Sequence, residues 1–392
     1  MNHSIHDMVA SIHNHKLYRF DRLKKINLMR YPVIRMMLLI LVAHMLMVSA
    51  RAQKKAVIAY YAGNAEILKK YDARDFTHII YCFGHLEGAK LKINSSVDTL
   101  LIQQMVAMKK INPDLKVLLS LGGWGGCESC SEVFASPESR MAFAQSVRSL
   151  TRFFKSDGID LDWEYPAIAG YPGHPFSSSD KGNFTALIST LRQVLGKKST
   201  ITFAAGGFGK FLEESVDWKT VMPMVDYVNL MTYDLISGFS TVTGHHTALY
   251  GTPDQKESTD NCVRYLISKG VEPRKLIIGA AFYARIWEGV SPVRNGLYQS
   301  GKFKQSLGYS DFPKNLTEQQ GYAFYWDSTA KAPFAYNAKE KTFATYDDKR
   351  SIQEKSTYVA TKGLGGIMFW HLGHDTPKNG LVEVMNSVLR PR

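Results

Sequence analysis

Asp157-Gly158-Ile159-Asp160-Leu161-Asp162-Trp163-Glu164-Tyr165-Pro166 places four acids within eight residues, interleaved with apolar ones. Strand side chains alternate between faces, so Asp160, Asp162 and Glu164 share one face while Ile159 and Leu161 share the other. In a parallel barrel the acidic face is the interior, the apolar face meets the surrounding helices, and Glu164 falls at the C-terminal mouth. Asp157 has the opposite parity and is read as structural, bonding backbone at the entrance of the strand.

Seven further apolar or β-branched runs flank this one. AVIAYY from Ala56, THIIYCF from Thr77 and KVLLSLGG from Lys116 precede it. TITFAAGG from Thr200, DYVNLMTY from Asp226, KLIIGAAFY from Lys275 and LGGIMFW from Leu364 follow. Near-continuous apolar strands are what a parallel sheet covered on both faces requires. Amphipathic helical patterns separate most of them: Pro137–Phe154 follows Ser136 as N-cap, and Ser258–Lys269 stops at Gly270. Eight such units predict a (β/α)8 TIM barrel of the α/β class. The gap between the last two runs is the longest, and residues 287–347 within it are aromatic and polar with alternating stretches. They predict a small α+β insertion between the seventh and eighth barrel strands, on the rim where barrel active sites lie, leaving 53–286 and 348–392 as the barrel.

The 392 residues carry a formal charge of +13. Residues 1–52 hold eight basic and two acidic side chains, and the rest of the chain 40 basic and 33 acidic. The remaining excess is spread without a dense basic run, which argues against nucleic-acid binding. Residues 36–50 form an apolar run preceded by basic residues and followed by Ala50-Arg51-Ala52, the pattern of a signal peptide over 1–52 with a long n-region. A span needs about 20 apolar residues, so no membrane span is expected after cleavage, and the mature protein is expected to be secreted. No cysteine follows the run, so no lipid anchor is expected either. Export leaves Cys127 and Cys130 as either a short disulfide or free thiols, with Cys82 and Cys262 as buried singles.

Three carboxylates aligned in a partly dry interior are costly unless protons are shared, which raises the pKa of at least one. Such an acid suits proton donation near neutral pH. The run lacks EF-hand spacing and no phosphate-cradling glycine loop accompanies it, so neither a metal nor any other cofactor is expected. His371 and His374, and the His245-His246 pair, read as polar rim residues. Residues i and i+2 of a strand lie roughly 6.5–7 Å apart, between the carboxylate separations of retaining and inverting glycosidases, so spacing alone leaves the stereochemistry open. Aromatic and polar residues surround the same mouth: Tyr60 and Phe83 end the first two strands, Trp124 follows Gly122-Gly123 after the third, Met231-Thr232-Tyr233-Asp234 ends the sixth, Arg285 the seventh and Trp370 the eighth. Flat rings of this kind suit sugar faces.

At this point the residues resemble a known family. DGIDLDWEYP resembles the D-x-x-D-x-D-x-E signature of the family 18 glycoside hydrolases, the chitinases. SLGGWGG, MTYD, GAAFYAR and GIMFW resemble its other blocks in order, and FYWD to FATYDD resembles the insertion of its deep-cleft subgroup. The likeness spans residues 56–388. It implies a retaining reaction with no enzyme nucleophile, in which the substrate's 2-acetamido oxygen attacks C1. Glu164 would be acid and then base, Asp162 would orient the acetamido group, and Asp160 would share its proton. Tyr233 would hold the acetamido carbonyl. Trp370 would floor the sugar that is cut, and Trp124 with Gly122, Gly123 and Gly125 would form the leaving side. Asp234 and Arg285 would hold polar groups, while Tyr60, Phe83, Tyr165, Met231 and Thr232 complete the pocket. The CESC sequence departs from the family pattern, so the loop around Cys127 is expected to reshape the leaving side. The implied partners are chitin or N-acetylglucosamine oligosaccharides, met by a monomer that lacks a separate polymer-binding module after the barrel. Two other readings follow from the same likeness: an inactive chitin-binding lectin, and an endo-β-N-acetylglucosaminidase acting on N-glycans. Glu164 with Asp160, Asp162 and Tyr233 argues against the first, and the walled cleft expected from the insertion against the second.

Overall fold

The computed structural model describes residues 55–391, so the export segment expected over 1–52 lies outside the described residues. Fourteen strands are described: β1 (Ala56–Tyr61), β2 (His78–Glu87), β3 (Lys90–Lys92), β4 (Lys116–Gly122), β5 (Gly158–Asp162), β6 (Thr200–Gly206), β7 (Tyr227–Met231), β8 (Leu276–Ala281), β9 (Tyr283–Glu288), β10 (Lys302–Gly308), β11 (Tyr322–Asp327), β12 (Ala332–Asn337), β13 (Thr342–Thr345) and β14 (Gly366–Trp370). β1, β2, β4, β5, β6, β7, β8 and β14 pair in parallel, and β1 bonds both β14 and β2, closing the ring. This is the (β/α)8 barrel expected from the sequence.

Alternation decides which side chains enter the barrel. Val57, Ala59 and Tyr61 join Ile159, Leu161 and the helix residues in the outer core. Ala56, Ile58 and Tyr60 instead meet Ile80, Cys82, Leu118, Ala204, Ile277 and Met368 inside the ring. The helix Pro137–Phe154 shows how the outer layer is made. Ser136 accepts from the Ser139 N–H, Pro137 takes the first turn, and Phe143, Ala144, Val147 and Phe154 are buried. Fully burying a side chain of that size contributes roughly 1.5–3 kcal/mol before entropy is charged against it. The helix Thr259–Ser268 is capped by Ser258, and Gly270, at φ +83, lets the chain turn back into β8.

At the entrance of β5, Asp157 accepts from the Val117 N–H at 2.8 Å and pairs with Lys109 at 2.5 Å, the structural duty that its parity predicted. The sequence from Lys275 to Arg285, read as one strand, is in fact two. β8 stops at Ala281; Phe282 donates its N–H to the Trp370 carbonyl and stacks on Phe369 at 4.3 Å, and β9 begins at Tyr283. Arg285 therefore stands on a second sheet and not at the end of a barrel strand. That sheet is antiparallel, in the order β10-β9-β13-β12-β11, with one apolar cluster on each face. Among the described residues, no helix is long and apolar enough to cross a membrane.

Candidate active site

The acids of β5 occupy the barrel interior as a column. Asp160 is fully buried and accepts four hydrogen bonds: from Thr202 (2.6 Å), Ser120 (2.9 Å), Tyr60 (3.1 Å) and Asn229 (3.1 Å). Burial pushes its pKa up while these donors pull it back. Register explains the first two donors, since Ser120 and Thr202 are the direct cross-strand neighbours of Asp160 on β4 and β6. Asp162, one pleat higher, is 4% exposed, and its Oδ1 accepts no hydrogen bond from any described residue. Burial first, then Glu164 and Asp160, drive its pKa well above the usual range. Glu164 is half-buried just beyond the end of β5. Burial raises its carboxyl to about 7, with a Tyr165 hydrogen bond opposing and nearby Asp234 adding. Glu164 is therefore an acid that keeps its proton up to neutrality, above a neighbour that resists ionising beside it.

Asp234 behaves in the opposite way. Although burial alone would raise it, His246 and Arg285 hold its carboxyl well below the usual range. Tyr283 donates to Oδ1 at 2.7 Å, Arg285 uses both Nε and Nη2 (the latter at 2.6 Å to Oδ2), and His246 Nδ1 lies 3.5 Å from Oδ1. These contacts fix a backbone with φ +55, in the left-handed region that few side chains adopt. The hydroxyl of Tyr233, the neighbouring residue in the chain, makes a 3.8 Å contact to Met368 Sδ, and its ring meets Tyr283 edge-on at 6.2 Å. Burial, then Asp162, keep that phenol protonated far into the alkaline range.

Aromatic rings flank the acids on two sides. Trp370 stacks on Phe83 at 5.6 Å and 17°, and Tyr60 tilts against it at 6.2 Å. Non-proline cis peptide bonds stand at Cys82–Phe83, Glu164–Tyr165 and Trp370–His371. On the other side Trp124, 46% exposed, meets Tyr165 (6.4 Å), Tyr171 (5.5 Å) and Phe239 (6.2 Å). A groove of about 610 Å³ runs here, lined by Phe83, His85, Trp124, Glu128, Tyr171 and His174 among others.

The structure brings Asp160, Asp162, Glu164, Tyr60, Met231, Tyr233 and Trp370 to one mouth, with Asp234 and Arg285 as an ion pair at its edge. Gly122 and Gly123 are there for close approach: a Cβ on Gly122 would lie 2.2 Å from the Asp162 carbonyl oxygen, and one on Gly123 2.4 Å from the Phe83 ring. Gly125 sits under Tyr171. Thr232 is not brought to the cleft. It is fully buried, and its hydroxyl bonds Gly279 across β7 and β8. Sequence reasoning did not single out Ser120, Thr202 and Asn229, which cradle Asp160, nor Tyr283, which holds Asp234. Polar residues inside otherwise apolar strands were the available signal for the first three. The His245-His246 pair, expected on the rim, is instead fully buried: His245 Nε2 pairs with Asp327 at 3.0 Å and His246 packs beside Asp234, because the loop after β7 is covered by the second sheet. Tyr171 and Phe239 were missed because loop residues carry no parity. The His371 and His374 rings lie 3.9 Å apart, tilted by 47°, and His371 Nδ1 accepts from the Gly373 N–H, consistent with rim duty. Cys127 and Cys130 are joined as a disulfide, while Cys82 and Cys262 are free and buried.

Residues 56–375 match the model of Glycosyl hydrolases family 18. Chitinase A1 of Niallia circulans is 35% identical over 303 residues, 71% of this chain and 43% of that protein, so the match spans under half of that relative's length. Chitinase B of Serratia marcescens is 28% identical over 419 residues, covering 85% of this chain and 83% of its own. Among solved structures, a glycoside hydrolase family 18 N-acetylglucosaminidase from Paenibacillus barengoltzii superposes with a TM-score of 0.78 at 34% identity, over 85% of this chain and 99% of that one.

Proposed function

The chain belongs to glycosyl hydrolases family 18, and from that premise we propose that it is a secreted chitinase, cutting β-1,4-linked N-acetylglucosamine chains with retention and with the substrate's own acetamido group as nucleophile. The observation that carries this reading is the state of the acids. Glu164, with its pKa at about 7, is the proton donor to the glycosidic oxygen. A two-carboxylate retaining enzyme also needs an ionised nucleophile facing C1. Asp234 is committed to Arg285 and Tyr283, and Asp162 resists ionisation beside Glu164. An Asp162 that shares a proton with Asp160 suits a different duty: its open oxygen takes the acetamido N–H, and as its proton passes to Asp160 the carboxylate steadies the positive charge that grows on the ring during attack by the acetamido oxygen. The Tyr233 hydroxyl, with only a weak sulfur contact, donates to that acetamido group and keeps it in line. Trp370, braced by Phe83, floors the sugar being cut; Trp124 takes the leaving side. After departure of the aglycone, Glu164, now ionised, accepts the proton of the attacking water.

The apolar run over residues 36–50, with its basic flank and Ala50-Arg51-Ala52, supports export. The substrate class is tested by incubating the protein with N-acetylchitohexaose and with fully deacetylated chitosan hexamer. Cleavage of the first alone is expected, because only it carries the acetamido nucleophile. Equal cleavage of both overturns the substrate-assisted reading, and binding without cleavage replaces it with a lectin.

A further inference from the structure

Trp124 stands in a run of glycines, with Gly122, Gly123, Gly125 and Gly126 on either side. Three of them have left-handed φ values of +110, +78 and +84. Glycine loses more freedom on ordering than any other residue, so a half-exposed indole on such a loop needs fixing from outside. Two hydrogen bonds hold the near end: the Gly123 N–H donates to the Asp162 carbonyl at 2.9 Å, and the Gly126 N–H to the Gly123 carbonyl at 2.8 Å. The far end is fixed covalently. Cys127 and Cys130, 5.3 Å apart at Cα, are joined and sunk into the main core at 5% and 0% exposure.

Cys130 also opens the helix Cys130–Ala135, and this helix has two attachments. Phe134 packs 5.7 Å from Trp163, the residue between Asp162 and Glu164. Ser131 donates to buried Asp180 at 2.8 Å, and Asp180 accepts the Ser177 N–H at 2.8 Å. Asp180 thus ties the helix to the loop after β5 that carries Tyr171, the ring 5.5 Å from Trp124.

We propose that the Cys127–Cys130 disulfide is a positioning element that holds Trp124 against Tyr171, setting the affinity for sugar units on the leaving side of the cut and taking no part in proton transfer. The proposal rests on the chitinase reading. The cross-link closes only the stretch from Cys127 to Cys130, but by tying Cys127 to the buried start of the helix it fixes where the glycine loop ends before substrate arrives, so its contribution is preorganisation of the wall.

The test compares the unaltered protein with the double variant Cys127→Ser/Cys130→Ser on two substrates. N-acetylchitohexaose fills the leaving side with sugars; an aryl glycoside of N,N′-diacetylchitobiose places only its dye there. The expected result is a KM for the hexamer raised about fivefold, the loss of roughly one aromatic contact's worth of binding, with kcat within about twofold and the aryl glycoside unaffected. Trp124→Ala should raise the hexamer KM by a similar factor, and adding the cysteine substitutions to it should raise it no further. Should the double variant fail to fold, Cys127→Ala/Cys130→Ala, which puts no hydroxyl into the core, serves the same comparison. An unchanged hexamer KM, or an equal loss on both substrates, overturns the positioning role while leaving the chitinase reading intact. Failure of the unaltered protein to cleave either substrate overturns the chitinase reading, and the proposal with it.

Discussion

Two groups of buried ionisable side chains in this barrel do opposite things. Asp347 and Lys355, both fully buried, form an ion pair at 2.6 Å. Asp347 also accepts from Ser351 (2.7 Å), Thr247 (3.0 Å) and the Ala281 N–H (2.9 Å), joining the end of β8, the loop after β7 and the helix Lys349–Thr361. Every charge there has a partner of opposite sign or a donor. In the column on β5 no cation touches Asp160 or Asp162, and Asp162 Oδ1 has no donor among the described residues. What differs is satisfaction, not burial. The satisfied cluster fastens the chain that returns from the second sheet to the barrel; the column, satisfied at Asp160 but open at Asp162, stores protons at a mouth lined with rings. Asp234 lies in the mouth yet follows the first pattern, which is why it is read as a holder and not as the acid.

The largest expected effect breaks the column. Glu164→Gln should lower kcat about 10²–10⁴-fold while leaving hexamer binding within a few fold, since the amide cannot donate at comparable acidity. Steady-state kinetics together with calorimetric titration check this, and retained turnover removes Glu164 from its role. Breaking the satisfied cluster should act on stability instead. Lys355→Met leaves Asp347 buried without its cation and should cost about 3–5 kcal/mol in urea unfolding, with kcat per folded molecule nearly unchanged. A variant that loses kcat but not stability would mean the two clusters are not separate in function.

Asp162→Asn is a milder cut into the column. It should reduce kcat about tenfold to a hundredfold and KM by much less, because the residue acts mainly on the charge that develops during attack. An equal effect on KM and kcat would assign it to ground-state binding. The smallest effect sharpens the comparison by pH. Glu164 is raised to about 7 from about 4.5, so the folded state binds more protons than the unfolded one between those values. The stability it supports is complete below about pH 4.5 and is lost as pH rises through about 7. Glu164→Gln should therefore gain on the native protein by roughly 2–3 kcal/mol between pH 5 and pH 8. A pH-independent difference in thermal midpoints would show that Glu164 is not raised.

The barrel and the column were legible because both rest on local rules. Parity placed Asp160, Asp162 and Glu164 on one face and sent Asp157 to the other, and the run of apolar strands implied the ring. The cradle around Asp160 was not legible, since Ser120, Thr202 and Asn229 become its neighbours only once β4, β5, β6 and β7 take their register. Arg285 was placed on the wrong element because nothing in GAAFYAR marks the turn at Phe282. That turn is set by contacts with Phe369 and Trp370, more than 80 residues away in sequence. Tyr283 reaches Asp234 across 49 residues, and His246 reaches it from the loop after β7, a path that no periodicity marks. The aromatic wall of Tyr171 and Phe239 depends on loop paths that no periodicity encodes.

The central claim is that buried Asp162, whose Oδ1 has no donor among the described residues, serves an attacking group supplied by the substrate, with Glu164 as the acid. Its most direct test is the anomeric state of the first products, followed by proton NMR within minutes of adding the protein to N-acetylchitohexaose and before mutarotation. The account predicts new reducing ends that begin as the β-anomer and drift toward equilibrium. New ends that begin as the α-anomer would show direct attack by water, and would contradict it.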